Sequence, residues 1–138
     1  MSDFGPDHPL VKQFFAHGFD ASLKGMSLVS MKDGQASVRL EVSPEVQNMG
    51  GTLHGGAIAT LVDDAGTLAI MSADTDSRPG VTTDLNVSYF SAARGGEAVL
   101  AEATALKTGK TLGFVSVDIK TEGGKLVAQG RMTKFLGR

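Results

Sequence analysis

The chain has no cysteine and no tryptophan among its 138 residues, and only 1 tyrosine. Without cysteine there are no disulfides, no thiolate metal sites and no thiol nucleophile. Net charge is −2, which leaves no basic surface for nucleic acid and no acidic tail. Apolar runs are far short of a membrane span. The opening MSDFGPDHPL lacks the basic and apolar regions of a secretory signal, and its early acids run against a mitochondrial presequence. These absences predict a soluble intracellular protein, cytoplasmic by default with the mitochondrion left open, that contacts neither nucleic acid nor membrane. There is no G-x-S-x-G elbow. His8, His17 and His54 have no metal-ligand spacing, so no metal site and no zinc hydrolase is expected.

What is present fits one domain over residues 1–138 with one sizeable core. HPLVKQFFAHGF carries apolar pairs at helical spacing and stops at Gly18, so residues 1–20 form an N-terminal helical segment. ASVRLEVS alternates strictly, with Ala36, Val38, Leu40 and Val42 on one face. The DGQ turn before it makes residues 23–32 its hairpin partner. A long helix follows, then strand-like runs at 81–91, 96–107, 111–121 and 125–135, separated by ARGG, KTGK and EGG. Connections this short predict antiparallel neighbours. A helix of about 18 residues spans roughly 27 Å, as does a strand of about 8 residues. The expected architecture is α+β, a six-stranded antiparallel sheet lying along one long helix.

The helix lies in NMGGTLHGGAIATLVDDAGTLAI, residues 48–70, which holds acids but no lysine or arginine. On a helical wheel Ala57, Leu68, Leu61, Ala65, Ile58, Ala69 and Val62 fall within about 140° and face the sheet. Gly66, Ala59, Ile70, Asp63, Gly56, Thr67, Thr60 and Met71 occupy the other side. Small residues there predict close approach by a ligand or by another subunit. Asp63 sits in the middle of that side, and Asp64 near the edge of the sheet-facing arc. Asp63 has no cation at i±3 or i±4. If desolvated it suits a general base; otherwise it accepts hydrogen bonds across an interface.

The glycine-rich entrance exposes backbone N–H groups that suit a developing oxyanion. No GKS or GKT follows, which excludes a P-loop. The simplest role of His54 is to hydrogen-bond backbone at the helix start. Gly55 and Asp63 are roughly 12 Å apart along the axis, too far for one helix to supply both donor and base to one substrate. Two antiparallel helices related by a two-fold axis can do so. What remains is carboxylate-assisted attack by water, or binding without chemistry.

Together with GVTTDLNVSYFSAARGGE, KTGKTLGFVSVDI and GKLVAQGRMTKFLG, the helix stretch resembles the hotdog-fold acyl-CoA thioesterases. Within them it resembles the thioesterase superfamily member two type, in the phenylacetate-pathway thioesterase-like group. The likeness runs from about residue 25 to the end. It implies a hotdog fold, with the sheet wrapped around the helix, and hydrolysis of acyl-CoA to a free acid and coenzyme A. Coenzyme A is then part of substrate and product, and no cofactor is required. The Gly55 N–H would polarise the thioester carbonyl, with Asn48 beside it as a side-chain donor. Asp63 of the partner subunit would activate water, and Thr82 would orient it. Thr82 is expected to share its strand face with Asp84 and Asn86. His54 joins the substrate-binding set. Coenzyme A would lie along Tyr89, Phe90, Ser91, Ala92, Ala93 and Arg94, and along the turn Lys107, Thr108, Gly109, Lys110, Thr111 and Leu112. Arg94, Lys107, Lys110, Arg131 and Lys134 are the candidate phosphate cations. Relatives commonly form tetramers of two dimers. Serine often replaces Thr82 in close relatives, and asparagine replaces Asp64 in some, which leaves two acids competing for one role. The alternative is a non-catalytic acyl-CoA sensor on the same fold. Hydratase chemistry usually needs a histidine paired with an acid, and His54 stands in a different motif.

Overall fold

A computed structural model describes residues 7–137. The first residues of the expected N-terminal segment, 1–6, and residue 138 lie outside the described residues. The order is α1 (Pro9–Ala16), a 3-10 turn (Phe19–Ser22), β1 (Ser27–Lys32), β2 (Gln35–Glu41), a second 3-10 turn (Pro44–Val46), α2 (Gly55–Ala73), β3 (Val81–Tyr89), β4 (Ala98–Thr108), β5 (Leu112–Thr121) and β6 (Leu126–Phe135). Asp33 and Gly34 close the first hairpin with φ of 50° and 86°. Positive φ at both central residues is the turn that matches strand twist, and Asp-Gly supplies it at least cost.

All strand pairs are antiparallel, in the order β1-β2-β4-β5-β6-β3. The sheet departs from the expected sequential order at one place. β3 and β4 are not neighbours: β3 is the far edge, beside β6, and β4 lies beside β2. Residues 90–97 make this crossing and are stitched to the loop before α2. Leu53 N–H donates to Ala93 C=O at 2.8 Å and Gly95 N–H to Gly51 C=O at 2.9 Å. A short connection suffices because the sheet curls and brings its far strands back over the helix.

The curl also changes what covers α2. The helix touches all six strands. Gly66, Thr67, Ile70 and Met71, expected to face another subunit, are buried within the chain. A Cβ on Gly66 would sit 2.7 Å from Met132 Cε, and one on Gly130 would sit 2.6 Å from Val62 Cγ1. Helix and sheet meet at these glycines with no room for a methyl group. Leu61, Val62, Ala65, Leu68, Ala69 and Ile70 are 0 % exposed. Each large one contributes roughly 1.5–3 kcal/mol by leaving water. By length and composition α2 could also cross a membrane, contrary to the expectation from apolar runs, but most of it is buried in this core. A narrow stripe stays open: Gly56, Ala59, Thr60 and Asp63, one helical face.

Candidate active site

The entrance to α2 is built by short side chains that satisfy a tight loop. Asn48 Oδ1 accepts from Gly50 N–H at 2.9 Å and Thr52 N–H at 3.1 Å, and its Nδ2 donates to Thr52 Oγ1 at 2.8 Å. Asn48 is thus a loop-closing residue, and one hydrogen of its amide is spent inside the loop. His54 is the N-cap: its Nδ1 accepts from Gly56 N–H at 2.8 Å. That places His54 as the sequence reading did, on backbone at the helix start. Gly55 is the first helical residue, whose N–H has no acceptor within the helix. Tyr89 at the end of β3 donates from its hydroxyl to Gly55 C=O at 2.9 Å, with its ring against Gly55.

Asp63 lies on the open stripe, with 41 % of its side chain exposed. Its Oδ1 accepts from Thr82 Oγ1 at 3.0 Å and from Thr67 Oγ1 at 3.4 Å. Thr82 reaches it because β3 is bulged between Thr82 and Asp84. The extra residue reverses the alternation, as bulges beside functional sites often do. Thr82 therefore faces inward, opposite Lys134. Asp84 and Asn86 face outward opposite Thr133 and Arg131, not on the face of Thr82 as their spacing predicts.

Lys134 is not a surface cation for phosphate. It is 5 % exposed. Its Nζ donates to Thr82 Oγ1 at 3.2 Å and lies 4.0 Å from Asp63 Oδ1. Burial lowers its pKa, against the opposing pull of Asp63, Asp20 and Asp64. The adjacent acid, Asp64, is 2 % exposed and turned away from the stripe. Burial pushes its carboxyl up to about 10, with a hydrogen bond to Asp20 and the charges of Asp20 and Asp63 adding to the rise. With its pKa held that high, Asp64 keeps its proton at neutral pH and is not a base. Sequence reasoning missed Asp20 and misplaced Lys134. The signal for Lys134 was available: Ala128, Gly130, Met132 and Lys134 alternate inward along β6.

The residues expected along coenzyme A fall at two ends of α2. Near its start, Phe90 and Arg94 are exposed, Ala93 is buried, Ser91 Oγ donates to Leu126 C=O, and Ala92 C=O accepts from Lys125 Nζ. Near its end lies the turn Lys107–Leu112, where Gly109 N–H closes on Leu112 C=O at 2.8 Å and Thr111 C=O takes Leu136 N–H. Thr108 Oγ1 is buried, whereas Lys107 and Lys110 are exposed. Arg78 fixes this end. It pairs bidentately with the buried Asp74 and donates to Lys110 C=O and Leu136 C=O. In one protomer the two segments are therefore separated by the helix, roughly 28 Å. Among the described residues no group of three His, Asp or Glu could hold a metal.

The sequence model of the thioesterase superfamily matches residues 50–128, which span the helix entrance, Asp63, Thr82 and most of the sheet. The chain belongs to that family. This thioesterase is 45 % identical to human acyl-coenzyme A thioesterase 13 over 123 residues, 88 % of this chain and 87 % of that one. Zebra fish thioesterase superfamily member 2 superposes with TM-score 0.86 at 44 % identity, covering 91 % of this chain and 94 % of that chain. A hypothetical thioesterase protein from Streptococcus pneumoniae TIGR4, solved with coenzyme A, gives TM-score 0.83 at 25 % identity, over 91 % and 95 % of the two chains. The shared fold is the hotdog arrangement the resemblance implied.

Proposed function

We propose that this thioesterase hydrolyses acyl-CoA to a carboxylic acid and coenzyme A, using the Gly55 N–H of one protomer and Asp63 of another. The name of its human relative and the coenzyme A in the pneumococcal structure support the substrate class. The carrying observation is that β3 is an edge strand bearing both halves of the chemistry. Its Tyr89 end holds Gly55, and its Thr82 end holds Asp63. Val81, Leu85 and Tyr89 are exposed at 67 %, 38 % and 54 %, an uncovered edge ready to pair. Antiparallel self-pairing of Val81–Tyr89 about Leu85 sets Thr82 of one copy near Ser88 and Tyr89 of the other. Each Gly55 then approaches the other copy's Asp63.

The same pairing joins the two coenzyme A segments. Leu112 pairs with Phe135, and Phe135 with Val81, so the turn Lys107–Leu112 reaches the edge where the other copy's Tyr89–Arg94 arrives. In this site the Gly55 N–H holds the carbonyl oxygen, and Asn48 keeps the loop that aims it. Asp63 takes a proton from water as its oxygen attacks the carbonyl carbon. The tetrahedral intermediate expels the coenzyme A sulfur, which receives that proton. Two such dimers associating give the tetramer the resemblance implies, which light scattering measures.

Thiol release over short, long and aromatic acyl-CoAs tests the reading. A positioned base is worth about 10²–10⁴-fold, so Asp63→Asn lowers kcat by that order while KM changes little. Tight binding of every ester without thiol release would instead establish the sensor.

A further inference from the structure

The hydrogen bonds around Thr82 have a direction that chemistry fixes. An ammonium only donates, and a carboxylate only accepts. Thr82 Oγ1 lies between them, 3.2 Å from Lys134 Nζ and 3.0 Å from Asp63 Oδ1. It must therefore accept from Lys134 and give its single hydrogen to Asp63. Met132 Sδ, 3.6 Å from the same oxygen, is a far weaker acceptor and does not compete. Thr67 also donates to Oδ1, and Lys134 also faces Oδ1. These hydrogen bonds and this ion pair of the Asp63 carboxylate all fall on that oxygen. Oδ2 is left as the base, and Thr82 keeps one lone pair with which to accept from water.

We propose that Lys134 is a positioning residue of the hydrolytic site: it orients the Thr82 hydroxyl onto Asp63 Oδ1 and so leaves Asp63 Oδ2 and the free Thr82 lone pair to hold the attacking water by its two hydrogens. This rests on Asp63 being the base. A water donating both hydrogens has its oxygen lone pairs free for the carbonyl carbon, which is the orientation attack needs. A residue at position 134 that cannot donate would leave both Thr82 lone pairs open, so the water would have two places to bind and the hydroxyl would no longer be pinned about its bond to Asp63. The groups facing the ammonium are Asp63 and Asp64 on α2, Asp20 on the first 3-10 turn and Thr82 on β3. A buried lysine of no catalytic use would be an expensive choice, since well-packed apolar residues usually serve stability as well or better.

The test is kcat and KM of the wild type, Lys134→Met and Lys134→Arg across pH with a good acyl-CoA substrate, correcting for uncatalysed hydrolysis. Lys134→Met lowers kcat at least about tenfold, less than loss of the base itself, with KM within about twofold. Lys134→Arg restores part of the loss. Because burial holds the ammonium below the ordinary lysine value of 10.5, wild-type kcat falls on an alkaline limb that Lys134→Met lacks. The 13Cε chemical shift of Lys134 in the wild type titrates with that limb, a readout that holds even if the variants fail to fold. Wild-type kcat in Lys134→Met, or a wild-type alkaline limb that does not follow the Lys134 titration, overturns the role of Lys134 and leaves the hydrolase reading standing. No turnover by the wild type on any acyl-CoA overturns both.

Discussion

At the scale of residues, two adjacent aspartates have opposite fates because the roughly 100° between neighbours on a helix separates an open stripe from a sealed core. Asp63 meets hydroxyls and keeps contact with solvent. Asp64 is buried against Asp20 and holds its proton. The unfolded chain would release the Asp64 proton above the ordinary carboxyl value of 3.8, whereas the folded chain retains it to about 10. A folded pKa raised in this way means stability is lost as pH climbs between those values. Asp64→Asn supplies the same neutral donor with no proton to lose. Chemical denaturation at pH 7 shows the variant stabilised on the order of 2–4 kcal/mol, and the gain shrinks toward zero as pH falls to 4. Its kcat stays within a few-fold of wild type. A helical wheel was enough to separate Asp63 from Asp64 in angle. It carried no information on Asp20, whose approach depends on tertiary packing, or on Thr82, which a bulge turns inward against the period-2 pattern.

At the scale of elements, the start of α2 is shaped for a donor. His54 is extended, with φ of −62° and ψ of 136°, and Gly55 occupies the first helical position. Proline is tolerated at that position, and an extended residue before it suits its ring. A Cβ at Gly55 would stand 3.6 Å from the Tyr89 ring, an ordinary contact. Gly55→Pro therefore removes the N–H without a clash at Cβ. Losing one oxyanion donor costs about 10²–10³-fold in kcat, while circular dichroism and the melting temperature remain near wild type. At the other end of α2, the Arg78 guanidinium holds the Asp74 carboxyl below its ordinary value. Stability from that pair is present above pH 3.8 and is lost as pH falls through the lowered value. Asp74→Asn thus melts lower at neutral pH, and its deficit narrows in acid melts. The strands themselves were legible in their alternation and glycine turns. The crossing from β3 to the middle of the sheet was not, because sequence spacing reports connection length and is silent on how far a sheet curls.

At the scale of the whole molecule, the proposed active site needs two chains. Donor and base are roughly 12 Å apart on one helix, and the two coenzyme A segments sit at its opposite ends. In the proposed dimer the edge strand β3 links each half to the other half's counterpart. That logic was partly readable beforehand, since the distance along a helix follows from residue numbers alone. The closing strand was not, because only the structure shows that β3, like β1, is an edge. Complementation between dead variants tests this directly. Gly55→Pro and Asp63→Asn, each nearly inactive alone, are unfolded together and refolded at equal concentration. Half of the resulting dimers are hybrids, and each hybrid has one site with both residues intact, so thiol release recovers to about a quarter of wild type. A mixture that forms hybrids yet stays as inactive as its parents would contradict a site shared between protomers.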